Sequence, residues 1–180
     1  MLQKFKKKIN EKNLTISIIG LGYVGLPCLI SFAKKGFRLI GIDTNQNIIK
    51  NLKKGINHLN NKKINLKNYN INFTSKYNNI KESDVIIVCV PTPLTIYKSP
   101  DLSYLKKAIN LISDQKLKKN CIICLESTSY PGTTEEFFLP LLKKNRLKVG
   151  IDAFLVFSPE REDPGNDKYG LSNTTKIVSG

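Results

Sequence analysis

Short, uninterrupted apolar runs alternate along this chain with longer stretches in which apolar residues return every three or four positions. Residues 14–19 (L-T-I-S-I-I), Arg38–Ile42, Ile71–Thr74, 84–90 (D-V-I-I-V-C-V), Cys121–Leu125 (C-I-I-C-L) and 154–157 have strand length. Several are apolar on both faces, as strands are in a parallel sheet covered on both sides. Helical spacing falls between them. It runs through Val24, Leu26, Leu29, Ile30 and Ala33, then over residues 46–53, then through Leu105, Ala108, Ile109 and Ile112. A further helix starts at Thr133 or Thr134, with Glu135 and Glu136 in its first turn, where acids favour the positive end of the helix dipole. Pro27 sits in the first turn of the first helix, where its missing donor costs little, and Asp101 or Ser103 can cap the third. Residues 54–70 are Asn- and Lys-rich with weak patterning, and 176–178 read as the start of one more strand.

The first strand runs directly into G-L-G-Y-V-G, with glycines at 20, 22 and 25. In this setting Gly20 permits a tight turn, Gly22 lets backbone approach a pyrophosphate, and Gly25 lets the following helix pack closely on the sheet. Tyr23 and Val24 fill the loop, whose N–H groups would face the phosphates. The second strand ends in Asp43, near the spacing expected of the acid that holds an adenosine ribose. A carboxylate there accepts from the ribose hydroxyls and repels a 2′-phosphate, which predicts NAD rather than NADP. The alternative is that Asp43 merely caps the helix beginning near Asn45. Together these features predict an α/β fold with a doubly wound, Rossmann-type, mostly parallel sheet and helices on both faces. Ligands then bind beyond the carboxyl ends of the strands. Those ends carry the glycine loop, Asp43, Pro91-Thr92-Pro93, Ser127-Thr128 and Glu160-Arg161.

The 180 residues suit one domain, divided here into a basic leader (1–13) and a dinucleotide-binding domain (14–180). With 29 Lys and Arg against 14 Asp and Glu, the formal charge is +15. That invites a nucleic-acid reading, but the lysines are scattered rather than gathered on one element, so no nucleic-acid partner is expected. Leu2, Phe5 and Ile9 can share a face of a short basic helix on anionic lipid, though a solvated leader is the expected state. With no apolar run of spanning length and no secretory leader, a cytoplasmic location and no membrane partner are expected. Cys121-x-x-Cys124 has a zinc-like spacing, yet in a strand positions three apart face opposite sides. Buried, reduced cysteines and no metal are therefore expected, for Cys28 and Cys89 too. His58 receives no role.

Five segments, read together, resemble the UDP-glucose/GDP-mannose dehydrogenase family, most closely its branch acting on UDP-N-acetylglucosamine. They are G-L-G-Y-V-G-L-P at 20–27, V-P-T-P-L at 90–94, P-D-L-S-Y at 100–104, L-E-S-T-S-Y-P-G-T-T-E-E at 125–136 and F-S-P-E-R-E-D-P-G-N at 157–166. The resemblance implies oxidation of the C6 alcohol of a UDP-sugar to a carboxylate with two NAD, through an aldehyde and an enzyme thioester, in polysaccharide biosynthesis. It assigns Gly20, Gly22, Gly25 and Asp43, with Tyr23 and Val24 of the same loop, to NAD. Thr92 and Thr128 would lie along its pyrophosphate and nicotinamide side. It gives Thr128 and Glu160 to the positioning or activation of water, and Glu160 and Arg161 to the sugar nucleotide. Where some members carry a second glutamate, Pro164 stands. The resemblance also implies that the nucleophilic cysteine lies in a segment beyond residue 180. The chain is thus expected to be the NAD-binding portion of such an enzyme, working with a C-terminal half or a second copy. A noncatalytic NAD-binding module acting through a partner is the alternative.

Overall fold

A computed structural model describes residues 2–160 and 174–180. In chain order its elements are α1 (Leu2–Asn10), β1 (Thr15–Ile19), α2 (Gly25–Lys34), β2 (Arg38–Ile42), α3 (Gln46–Lys53), β3 (Ile56–Asn57), β4 (Lys62–Lys63) and β5 (Ile71–Thr74). There follow a 3-10 turn (Tyr77–Glu82), β6 (Val85–Val88), α4 (Ser103–Ser113), β7 (Cys121–Leu125), α5 (Thr133–Lys144) and β8 (Ala153–Phe157). Six strands form one sheet in the order β5-β2-β1-β6-β7-β8, every neighbouring pair parallel. This is the doubly wound dinucleotide order, and the direction of winding reverses between β1 and β6.

Strand alternation sends side chains to two separate cores. Ile19, Ile42, Val88, Ile123 and Leu125 join α4 and α5 on one face. On the other, Ile16, Ile18, Leu39 and Ile87 join α2 and α3. Cys121 falls in the first cluster and Cys124 in the second, so the two thiols lie on opposite faces. Ile18 and Leu29 are fully buried, and truncating either to Ala would cost about 2–5 kcal/mol.

Three stretches differ from the sequence expectation. The first residues form a docked helix rather than a solvated leader. Phe5 packs on the second cluster, and Lys8 Nζ lies 2.7 Å from Asp84 Oδ1. Asp84 is buried just ahead of β6; it also accepts from the Thr15 N–H at 3.0 Å and pairs with Lys118 at 2.6 Å. One carboxylate thereby ties the amino ends of β1 and β6 to α1, at the end of the sheet away from the glycine loop. Residues 54–70 include the small antiparallel β3–β4 hairpin. The expected strand at 176–178 reduces to one antiparallel bridge between Phe157 and Ser179. Ile177 and Val178 stay exposed, so no burial extends the pairing.

Candidate functional site

The carboxyl ends of β1, β2, β6, β7 and β8 open onto one cavity of about 810 Å³. Its first wall is the glycine loop, and the three glycines there do different jobs. Gly20 has φ +88, and a Cβ on it would sit 2.6 Å from the Cys89 carbonyl oxygen. A Cβ on Gly25 would lie 1.8 Å from the Gly20 carbonyl oxygen, inside the loop itself. A Cβ on Gly22 would meet nothing within 4 Å. Two glycines therefore close the loop, and the third leaves backbone open to the cavity. At the start of α2 the N-cap, Val24, offers no side-chain cap; Leu26 N–H donates to Gly22 C=O at 3.1 Å and Pro27 has no N–H, so the amides placed to meet an anion are those of the loop up to Gly25.

Asp43 is fastened to this loop. Its Oδ2 accepts from the Leu21 N–H at 2.9 Å and its Oδ1 from the Asn45 N–H at 2.8 Å. The cap of α3 is Asn45, whose side chain accepts from the Asn47 N–H. Capping thus falls to Asn45, and the carboxylate of Asp43 lies beside the glycines. Tyr77, from the 3-10 turn, lines the same end; burial first, then Asp43, pushes its hydroxyl up to about 12. His58 also comes close. Burial lowers its imidazole below the ordinary value against the pull of Asp43 and the Leu21 backbone. Its Nδ1 is buried with no hydrogen-bond partner among the described residues. Nothing in its polar sequence neighbourhood signals this approach.

The far wall is built from strand ends laced by main-chain bonds that extend the sheet ladder. Cys89 N–H donates to Ile19 C=O at 2.8 Å, Glu126 N–H to Val88 C=O at 2.9 Å, and Ser158 N–H to Leu125 C=O at 3.0 Å. Ser127 Oγ donates to Val90 C=O at 2.7 Å. Thr92, Thr128 and Glu160 line the cavity here, as Gly20, Gly22, Tyr23, Val24 and Asp43 do opposite. Gly25 stands behind the loop, and Arg161 lies outside the described residues.

Sequence reasoning gave no role to Glu126 or Lys176. Glu126 follows β7 directly as a buried acid. Lys176 Nζ bonds Glu126 Oε2 and stands 3.4 Å from Glu160 Oε2. Burial works against the lysine's charge, but the two carboxylates outweigh it and hold the ammonium above its ordinary value. An acid directly after a buried strand was the one available signal for Glu126; Lys176 offered none.

The four cysteine thiols are buried. Burial pushes Cys28 and Cys124 up to about 12 and Cys121 to about 11, and carries Cys89 well above its ordinary value. No group of three His, Cys, Asp or Glu among the described residues is placed to hold a metal, and no described helix is long and apolar enough to cross a membrane.

A switch-point cavity, an open glycine and an acid tied to the loop define a dinucleotide-binding domain. The chain belongs to the UDP-glucose/GDP-mannose dehydrogenase family, whose NAD binding domain matches residues 14–180. It is 42% identical over 170 residues to Protein CapL of Staphylococcus aureus, covering 93% of this chain and 40% of that protein. It is 41% identical to a UDP-N-acetyl-D-glucosamine 6-dehydrogenase of Pseudomonas aeruginosa, covering 94% and 40%. A solved UDP-D-ManNAc dehydrogenase from Pyrococcus horikoshii matches with TM-score 0.75 and 34% identity, over 84% of this chain and 37% of that one. The chain spans about 40% of the length of the curated relatives it matches.

Proposed function

We propose that this chain supplies the NAD-binding part of a nucleotide-sugar 6-dehydrogenase that oxidises the C6 alcohol of a UDP-sugar to a carboxylate. UDP-N-acetylglucosamine is the favoured substrate, and the product would enter surface polysaccharide. The observation that carries this is the shared cavity: an open Gly22 beside a loop-bound Asp43 at one end, and Thr128 and Glu160 at the other. NAD, when bound, supplies the hydride acceptor.

The chain's own groups divide the remaining work. Gly22 and the loop amides up to Gly25 hold the diphosphate, with Tyr23 and Val24 shaping the loop around it. Asp43 can exchange its Leu21 bond for ribose hydroxyls, and its charge turns away a 2′-phosphate. Thr92 and Thr128 flank the nicotinamide side. Glu160 orients or activates water within hydrogen-bond reach of the sugar carbon, and Arg161 pairs with polar oxygens of the sugar nucleotide. The thioester-forming cysteine would come from a further segment or subunit, since burial keeps the four thiols here in their protonated form. Reduced thiols and a nucleotide-sugar substrate fit the cytoplasm.

Calorimetry with NAD is the test. Asp43→Ala should weaken binding about tenfold or more, whereas Glu160→Gln should leave it within about threefold. Equal losses would reject the assignment of Asp43 to the ribose. Joined to a segment that brings it to the length of its relatives, the chain should form NADH from UDP-N-acetylglucosamine. A folded, NAD-binding but inactive product would instead support the noncatalytic module.

A further inference from the structure

Glu126 and Glu160 approach each other where β7 and β8 end, with side chains only 8% and 10% exposed. Two carboxylates withdrawn from water at one place repel, and each loses hydration; a cation between them offsets both costs. Lys176 stands in that place. It arrives from the stretch that folds back antiparallel to β8 through the paired bonds between Phe157 and Ser179, at 2.8 and 2.9 Å. Its own side chain is 23% exposed, so solvent screens the contact little. Among the described residues, the other titratable groups facing this cluster are Cys28 from α2, Cys89 after β6 and Cys124 from β7. Burial keeps all three thiols neutral at physiological pH, so none of them adds charge to the balance. Main-chain bonds add to the same geometry, since Glu160 N–H donates to the Glu126 carbonyl at 3.2 Å.

We propose that Lys176 is a positioning residue for Glu160, its ammonium bridging that carboxylate to buried Glu126 and holding it at the cavity wall. The inference rests on the reading of Glu160 as a working residue of the dehydrogenase site. Lys176 touches neither substrate nor cofactor in this scheme and acts through Glu160. By sharing one ammonium, Glu126 also limits how strongly Lys176 holds Glu160, so the two carboxylates compete for the same proton donor.

The test is a pH titration of carboxyl-labelled glutamate by NMR in the 180-residue chain without NAD, with the two resonances assigned from Glu126→Gln and Glu160→Gln. Lys176→Met should raise the Glu160 midpoint by about 1 pH unit or more, because the ammonium paired with it is gone. Lys176→Arg should restore it to within about half a pH unit of the parent. Glu126→Gln should move it the opposite way, down by about half a pH unit or more, since a repelling charge disappears and the lysine is freed for Glu160. A purely structural Lys176 predicts no such pair of opposite shifts. An unmoved Glu160 midpoint in a folded Lys176→Met chain would overturn the proposal. So would an upward or absent shift in Glu126→Gln, which decides the matter if Lys176→Met does not fold. Failure of NAD binding in the parent chain would strike the dehydrogenase reading and leave these titrations intact.

Discussion

The two ends of the cavity are held in place by different forces. Around β1 and β2 the work is done by backbone: a left-handed Gly20, a Gly25 with no room for a methyl, and main-chain N–H groups of Leu21 and Asn45 that pin Asp43. Where β7 and β8 end, main-chain bonds continue the ladder and charged side chains are set upon it, with Lys176 between Glu126 and Glu160. The first end should therefore be sensitive to volume. The second should tolerate small changes of shape and respond to charge.

The sharpest way to break this contrast is to add single methyl groups to the loop. Gly25→Ala places a carbon 1.8 Å from the Gly20 carbonyl oxygen, and it should cost about 3 kcal/mol or more by urea denaturation. Gly22→Ala meets open space, so its stability should stay within about 0.5 kcal/mol of the parent while NAD affinity drops about tenfold or more. Similar unfolding midpoints for the two would show that the loop is not built as described.

A next, smaller effect comes from the opposite end of the sheet, which serves as a charge-dependent reference remote from the cavity. Burial pushes the Asp84 carboxyl up, but Lys118, Lys8 and the Thr15 N–H outweigh it and hold it below its ordinary value. A depressed carboxyl contributes stability that is complete above the ordinary carboxylate range and lost as pH falls through its lowered value. Asp84→Asn should cost about 2–3 kcal/mol at neutral pH. The difference from the parent should shrink only below about pH 4. A constant difference down to strong acid would contradict the ion pairs.

The smallest effect concerns the thiols under the far wall. With Cys28 and Cys124 near 12, only roughly one thiol in ten thousand is ionised at pH 8. Iodoacetamide should leave the native chain unlabelled by mass spectrometry and label all four cysteines in urea. Fast native labelling of Cys124 would mean that water reaches the strand ends.

What the sequence revealed divides along the same line. The glycine loop, Asp43 and the parallel strands are local patterns: spacing and apolar runs fix them within one supersecondary unit. Lys176 meets Glu126 from 50 positions away, and Lys8 meets Asp84 from 76. No periodicity encodes pairings made only when distant segments converge. That is also why α1 read as a solvated leader and His58 as an idle residue. At 176–178 the apolar letters suggested a strand, but Ile177 and Val178 find nothing to bury against among the described residues.

Tyr23, 64% exposed at the lip of the glycine loop, stands in a protein with no tryptophan at all. An indole introduced at that one position would fluoresce against a dark background, and its colour and brightness would report events at the cavity mouth alone. The protein thus comes with a built-in place for an optical probe, where occupancy can be watched in real time without turnover.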